Sequence, residues 1–112
     1  MTAVNIAKYV ITKCIDDGER ISNLQLQKIL ADIQQAYIDK HGHPLFYDEI
    51  EERRFGPMIP DVYYRFCGFG VEPIRQRYPD YDITDVDINL INNVTEESRK
   101  PPKWVQDWMN ET

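Results

Sequence analysis

Apolar residues recur every three or four positions along most of this chain, a spacing that predicts a series of amphipathic helices. The first predicted helix covers residues 3–17. Thr2 can cap its N-terminus, and Gly18 stands where a left-handed residue often ends a helix. The predicted buried face of this helix comprises Ala3, Ala7, Val10, Ile11 and Cys14.

The second predicted helix has the clearest start signal in the chain. Ser22 is the expected N-cap, and Gln25, three residues later, completes a capping box. Ile21 and Leu26 flank this box as a hydrophobic staple, and Gly42 predicts the end of the helix. The predicted core face comprises Leu26, Ile29, Leu30, Ile33 and Tyr37.

The segment between the second and third predicted helices is short, mixed in character and open to two interpretations. Residues 45–54 combine an extended apolar run with a charged stretch, and Ile50 and Phe55 are the expected apolar anchors. Gly56 and Pro57 form a turn signal. The pattern fits either a small pair of strands or a single helical turn with a strand, because its periodicity is too short to decide.

Two further helices are expected in the second half of the chain. Pro60 suits the first turn of a third helix, where its missing N–H costs nothing. Thr84 is the expected cap of a fourth helix over residues 85–98, with an apolar face that includes Ile91. The residues of the third helix expected to point inward are Val62, Tyr63 and Phe66.

A short fifth helix is expected after the Pro101-Pro102 pair, with Pro102 near its start. Taken together, the patterns predict a mainly α fold. It is a compact single-domain bundle of four to five helices over residues 1–112, with a possible short β-hairpin between helices two and three. The expected apolar face of the fifth helix comprises Trp104, Val105, Trp108 and Met109.

The charge of the chain is negative and concentrated toward its C-terminus. The net charge is −6, and residues 78–112 carry 8 acidic and 3 basic side chains. Residues 63–81 are rich in aromatic residues and include three arginines, a combination that could suggest base stacking. The negative balance nevertheless disfavours nucleic acid as a partner, because phosphate binding needs lysine and arginine. The acidic region could meet a basic protein surface or serve solubility.

The sequence contains neither a recognisable membrane span nor a recognisable export signal. No apolar run approaches the roughly 20 residues of a membrane span. The first residues lack the layout of a signal peptide. We therefore expect a cytoplasmic protein, in a bacterial or a phage-infected cell.

No residue pattern in the chain indicates catalysis, a metal or a cofactor. His41 and His43 lack companion ligands and are expected in a solvated loop, while Cys14 and Cys67 are expected to be buried, reduced thiols. The carboxylates of residues 48–52 lie among arginines, as on an ordinary solvated surface. We therefore predict a protein that is not an enzyme and that needs neither metal nor cofactor.

Arginine and aromatic residues are the usual anchors of protein interfaces, and they supply the candidate binding residues here. The two tryptophans of the fifth helix have two readings, packing against the core or contact with a partner, and the first is favoured. The candidate partner-binding residues are Arg53, Arg54, Tyr64, Trp104 and Trp108.

Three runs occur in a characteristic order. Residues 21–30 read Ile-Ser-Asn-Leu-Gln-Leu-Gln-Lys-Ile-Leu, residues 43–46 read His-Pro-Leu-Phe, and residues 54–63 read Arg-Phe-Gly-Pro-Met-Ile-Pro-Asp-Val-Tyr. In this order they resemble the Panacea domain, the SocA-like antitoxin or phage-associated protein family. The similarity is strongest over residues 3–74, and the acidic region 78–112 is divergent and shortened.

The resemblance implies a mainly helical domain without catalytic residues. It implies an antitoxin that neutralises a cognate toxin by direct binding, or as an adaptor that delivers the toxin to a protease. The alternative is a phage-encoded inhibitor of a host defence protein. The partner would be a protein, and a homodimer is possible. The motif residues that would hold the fold are Ser22, Gln25, Leu26, Gly56 and Pro57.

Overall fold

The computed structural model describes residues 1–101 and 103–110 and contains five helices and one two-stranded hairpin. The predicted mainly α architecture is therefore confirmed, including a hairpin between the second and third helices. The expected position of Pro102 at the start of the last helix lies outside the described residues. The elements are α1 (Ala3–Asp16), α2 (Asn23–His41), β1 (Glu51–Arg53), β2 (Gly56–Met58), α3 (Pro60–Phe66), a 3-10 turn (Cys67–Phe69), α4 (Ile88–Arg99) and α5 (Lys103–Asn110).

The predicted capping box at the start of α2 is confirmed. Ser22 Oγ accepts a hydrogen bond from the Gln25 backbone N–H at 3.2 Å, and Gln25 Oε1 accepts one from the Ser22 N–H at 2.8 Å. These bonds satisfy backbone donors that the helix itself leaves without partners. At the other end, Gly42 adopts a left-handed φ of 77°, and its N–H bonds to the Ile38 carbonyl oxygen.

Helix α2 is the centre of the molecule. It contacts α1, α3, β2 and α4, and its packing along α4 is the most extensive of these. The five residues predicted to form its core face are all buried, which confirms that prediction. Within the part of the chain that the structure describes, no helix is both long and apolar enough to cross a membrane.

Helix α4 begins later than predicted, at Ile88 rather than Asp85. Asp85 has a left-handed φ of 63°, which interrupts the helical backbone. The N-cap is Asp87, whose Oδ1 accepts from the Leu90 N–H at 3.2 Å, whereas the Thr84 side chain bonds to Asp82. The prediction that Thr84 caps this helix is therefore wrong.

Three residues expected to be buried are exposed. Tyr63 is 38% exposed, and Phe55, an expected anchor, is 79% exposed. Cys67 is also exposed, and its Sγ donates to the Tyr64 carbonyl oxygen at 3.2 Å, whereas Cys14 is buried as predicted. Phe55 lies in the hairpin turn, Tyr63 lies in the middle of α3, and Cys67 directly follows that helix.

Candidate protein-binding surface

Two buried polar residues of α2 attach the hairpin and α3 to this helix. Gln27 Oε1 accepts from the Ile59 backbone N–H at 2.8 Å, and Gln27 Nε2 donates to Asn23 Oδ1 at 2.9 Å. Asn23 Nδ2 in turn donates to the Tyr63 carbonyl oxygen at 3.0 Å. Since each buried polar group has a partner, the segment from the hairpin into α3 is held in one position.

A third buried polar residue, Gln34, fixes the chain on its way into the hairpin. Its Oε1 accepts from the backbone N–H groups of Leu45 and Phe46 at 2.9 and 3.3 Å. Its Nε2 donates to the Phe46 carbonyl oxygen at 2.6 Å. The Pro-Leu-Phe run is therefore anchored through its backbone, while the Phe46 ring is fully buried.

The hairpin projects from this base with a short turn. Glu51 pairs with Met58, Glu52 with Pro57 and Arg53 with Gly56, so Arg54 and Phe55 occupy the turn. Gly56 adopts a φ of 119°, a backbone conformation that side chains rarely allow. Arg54 and Phe55 are thus exposed to solvent in a turn that the two paired strands hold in place.

A cleft of about 330 Å³ lies between this turn and the start of α2, and we call it the hairpin cleft. Two adjoining concavities, of about 460 and 330 Å³, share Leu24 and Phe55 with it, and the second of them extends to Val71. The residues that line the hairpin cleft are Leu24, Gln27, Arg53, Arg54, Phe55, Gly56, Pro57, Met58 and Tyr63.

The charged groups of the hairpin cleft are both arginines. Arg53 Nε donates to Glu51 Oε2 at 2.7 Å, which orients its guanidinium along the strand. The Arg54 guanidinium lies 5.5 Å from the centre of the Phe55 ring, a cation–π distance. The cleft therefore combines an apolar floor with a cationic rim.

Three of the five candidate partner-binding residues come together here. Arg53 and Arg54 line the hairpin cleft. Tyr64 is 66% exposed, and its ring meets Tyr63 edge to face at 5.5 Å, which places it beside the cleft.

The other two candidates, Trp104 and Trp108, belong to α5 and are 74% and 64% exposed. No residue of α5 is buried, so the favoured reading, in which the tryptophans pack against the core, is wrong. Neither tryptophan lines the hairpin cleft. The structure therefore offers two separate exposed surfaces rather than one combined site.

Sequence reasoning missed Leu24 and Phe55, which are shared by all three concavities. A signal for Leu24 was present, since it is an apolar residue beside, rather than on, the apolar face of α2. Phe55 had no such signal, because an aromatic residue next to a turn is equally compatible with a buried anchor.

The histidines and carboxylates take structural positions. His41 is the last residue of α2 rather than part of a loop, and its Nε2 lies 2.9 Å from Asp87 Oδ2. Lys40 Nζ lies 2.6 Å from the same oxygen, and its hydrogen bond, with that of His41, lowers the pKa of Asp87 to about 2.

Asp48 also has a structural position, since its Oδ1 accepts from the Ala3 N–H at 3.0 Å, at the start of α1. In the described ranges, no group of three or more histidine, cysteine or carboxylate residues is placed to hold a metal ion.

Comparison with known families adds a match that covers most of these elements. A family model described as "Antitoxin SocA-like, Panacea domain" matches residues 26–107. The match includes the hairpin, all of α4 and part of α5, so it extends well beyond residue 74, where the similarity was expected to fade. No curated protein and no solved structure matches the chain.

Proposed function

Because the chain belongs to the antitoxin SocA-like, Panacea domain family, we propose that it is a non-enzymatic protein-binding domain that neutralises a cognate toxin in the bacterial cytoplasm. The observation that carries this proposal is the family match over residues 26–107. The family is antitoxin-like and generally non-catalytic. Neutralisation then rests on contact with the toxin, either directly or as an adaptor that hands it to a protease.

The hairpin cleft and α5 are the proposed contact surfaces. At the cleft, Arg53, Arg54 and Tyr64 surround an apolar floor, which is the composition that dominates binding energy in protein interfaces. On α5, Trp104 and Trp108 expose large apolar areas on a helix without a buried residue. Such a surface favours a protein partner over a small ligand.

The proposal is tested by co-expression with the product of a neighbouring gene that is toxic when it is expressed alone. The two genes are placed under separate inducible promoters, growth is measured, and the purified proteins are examined for a complex by size-exclusion chromatography. We expect this chain to restore growth and to form a stable complex. A folded chain that neither restores growth nor binds the toxin would contradict the proposal.

Two sets of variants then separate the contact surfaces. One set carries Arg54→Glu and Tyr64→Ala at the hairpin cleft, and the other carries Trp104→Ala and Trp108→Ala on α5. Tyr47→Ala is the matched control, since Tyr47 is an exposed aromatic residue that lines none of the three concavities. We expect each set to weaken toxin binding by at least tenfold and the control to bind as the wild type does.

Direct neutralisation and adaptor action differ in what they require. Direct neutralisation predicts that the purified complex lacks toxin activity when no protease is present. Adaptor action predicts that growth is restored only in cells that retain the relevant protease, with the toxin level falling after this chain is induced. Both measurements use the full chain.

A further inference from the structure

Exposed apolar surface is concentrated around the hairpin cleft. Among the residues that the structure describes, eight large hydrophobic residues outside α5 are exposed, and five of them line the three concavities or contact a residue that does. These five are Leu24, Phe55, Tyr63, Tyr64 and Val71; the other three, Met1, Ile38 and Tyr47, line none of the concavities. Apolar patches of this kind mark surfaces that other molecules cover.

The charge of the hairpin cleft is opposite to that of the whole chain. The chain carries 19 acidic and 13 basic residues, yet within residues 1–101 and 103–110 the charged residues that line the cleft are Arg53 and Arg54. The first turn of α2 borders the cleft through Leu24, and the positive end of its helix dipole adds a field of the same sign. Because Arg53 is paired with Glu51, the cationic character of this apolar cleft rests on Arg54.

The two arginines of the cleft differ in whether a carboxylate of the chain already pairs with their guanidinium group. Arg53 is already engaged with Glu51 on its own strand. Arg54 lies over Phe55 and, among the described residues, has no carboxylate within ion-pair distance. A guanidinium in this position can donate two parallel N–H hydrogen bonds, one to each oxygen of an incoming carboxylate.

We propose that the hairpin cleft binds a peptide segment of the partner that combines an apolar side chain with neighbouring carboxylates. The apolar side chain enters between Leu24 and Phe55, and a carboxylate beside it pairs with Arg54. This inference deepens the proposed function and rests on it, since it states the chemistry of the toxin segment that the cleft recognises.

Labelled synthetic peptides test the proposal with the full chain. The probe is a short fluorescein-labelled peptide with a central Leu-Phe pair between runs of glutamate. Matched peptides replace glutamate with glutamine or with lysine, or replace Leu-Phe with Gly-Ser. Fluorescence anisotropy measures the affinity of each. We expect the glutamate peptide to bind at least tenfold more tightly than the glutamine peptide, and the lysine and Gly-Ser peptides to bind more weakly still.

Variants assign the binding to the cleft. Arg54→Glu should lower the affinity for the glutamate peptide at least tenfold and raise that for the lysine peptide, and the neutral change Leu24→Ser should weaken binding of both. The control is Arg77→Glu, which makes the same change of charge at an exposed residue that pairs with Asp16 and lines none of the three concavities. Circular dichroism confirms that each variant is folded.

Several outcomes would overturn the proposal. These are binding of the lysine peptide as tight as that of the glutamate peptide, no effect of Arg54→Glu, no binding by any peptide, or tighter binding of a single-stranded DNA probe than of the glutamate peptide. The ability of this chain to restore growth in cells that express the toxin is measured separately. A chain that neutralises the toxin but ignores the peptides would therefore disprove the peptide chemistry and leave the proposed function standing.

Discussion

Gln34 makes three hydrogen bonds to the backbone at Leu45 and Phe46, all of them buried. It lies four residues after Leu30 and seven after Gln27, and therefore on the buried side of α2 among apolar neighbours. A polar residue at such a position is costly unless its side chain is fully used. Here it holds a segment that has no regular secondary structure of its own.

Gln34→Ala should therefore destabilise the folded protein. It leaves two backbone N–H groups and one carbonyl without partners in a buried site, and we expect a loss of about 1–3 kcal/mol in the free energy of unfolding. Urea denaturation followed by circular dichroism measures this loss. The neighbouring Gln35 is exposed and bonds to Asp39, so Gln35→Ala should change the value by less than about 0.5 kcal/mol. Equal effects of the two variants would contradict this account of Gln34.

Asp87 predicts an acid dependence of stability. Its folded pKa of about 2 lies below the ordinary value of about 3.9, because the folded state binds the charged form through Lys40 and His41. A depressed pKa contributes stability that is fully present above the unfolded value and is lost as the pH falls through the folded value. The contribution should therefore be constant from pH 7 to about pH 5 and disappear between about pH 4 and pH 2.

Asp87→Asn isolates this charge, because asparagine is also a good N-cap and α4 can still begin at the same residue. We expect the variant to melt at a lower temperature than the wild type at pH 7, with a difference that shrinks toward zero as the pH approaches 2. Differential scanning calorimetry across this range provides the measurement. Asp85→Asn is the control, since Asp85 forms no ion pair among the described residues. A difference that stays constant down to pH 2 would rule out the charge as its cause.

At the scale of elements, the sequence predicts where a helix begins when the capping residues are adjacent in the chain. It does not predict the start of a helix whose N-cap is positioned by residues that are distant in the sequence. The capping box of α2 lies within four consecutive residues, so the sequence contains all of it. The start of α4 depends on Asp87, whose carboxylate is held by Lys40 and His41 from another helix. Strands of three residues are too short for their periodicity to distinguish them from a helical turn, so the sequence pattern alone does not decide between the two alternatives for this segment.

Helix α5 shows a different limit, because an amphipathic pattern does not say what covers the apolar face. Trp104 and Trp108 repeat at helical spacing, as the residues of a core-facing helix do, yet both are exposed. An eight-residue helix is marginal in water without tertiary contacts. Contacts beyond the helix itself should therefore contribute to its stability.

Replacing both tryptophans by alanine should leave the fold intact. Since neither is buried, we expect the free energy of unfolding to change by less than about 0.5 kcal/mol. Phe46→Ala, which removes a fully buried ring, should cost about 3–5 kcal/mol in the same urea experiment and serves as the positive control. A loss of more than about 2 kcal/mol for the double variant would mean that α5 packs on the core in solution.

At the scale of the whole molecule, the helical class and much of the core follow from periodicity, but the hairpin cleft does not. Leu24 and Phe55 are 31 positions apart in the numbering and meet because Asn23 and Gln27 bind the backbone around Ile59 and Tyr63. Polar residues within an apolar face were the available hint. Their partners are set by the tertiary fold, which local periodicity does not encode.

The packing of α4 indicates how far along the chain the cooperative folding unit extends. The motif runs lie before residue 74, which suggests that the later, acidic region is dispensable. In the structure, α4 runs along α2 and contributes Ile91 and Thr95 to the buried interior. The Tyr9 hydroxyl also donates to Asn92 Oδ1 at 2.5 Å, so α4 is tied to α1 as well.

Two truncations test whether α4 belongs to the folding unit. A chain of residues 1–86 lacks α4, and since it exposes the apolar face of α2, we expect no cooperative thermal transition and strong binding of the dye ANS. A chain of residues 1–100 keeps α4 and lacks only α5, and we expect it to unfold cooperatively within a few degrees of the full chain. If the 1–86 chain unfolded cooperatively, the domain would end before α4. The acidic region would then be an appendage to a smaller helical core.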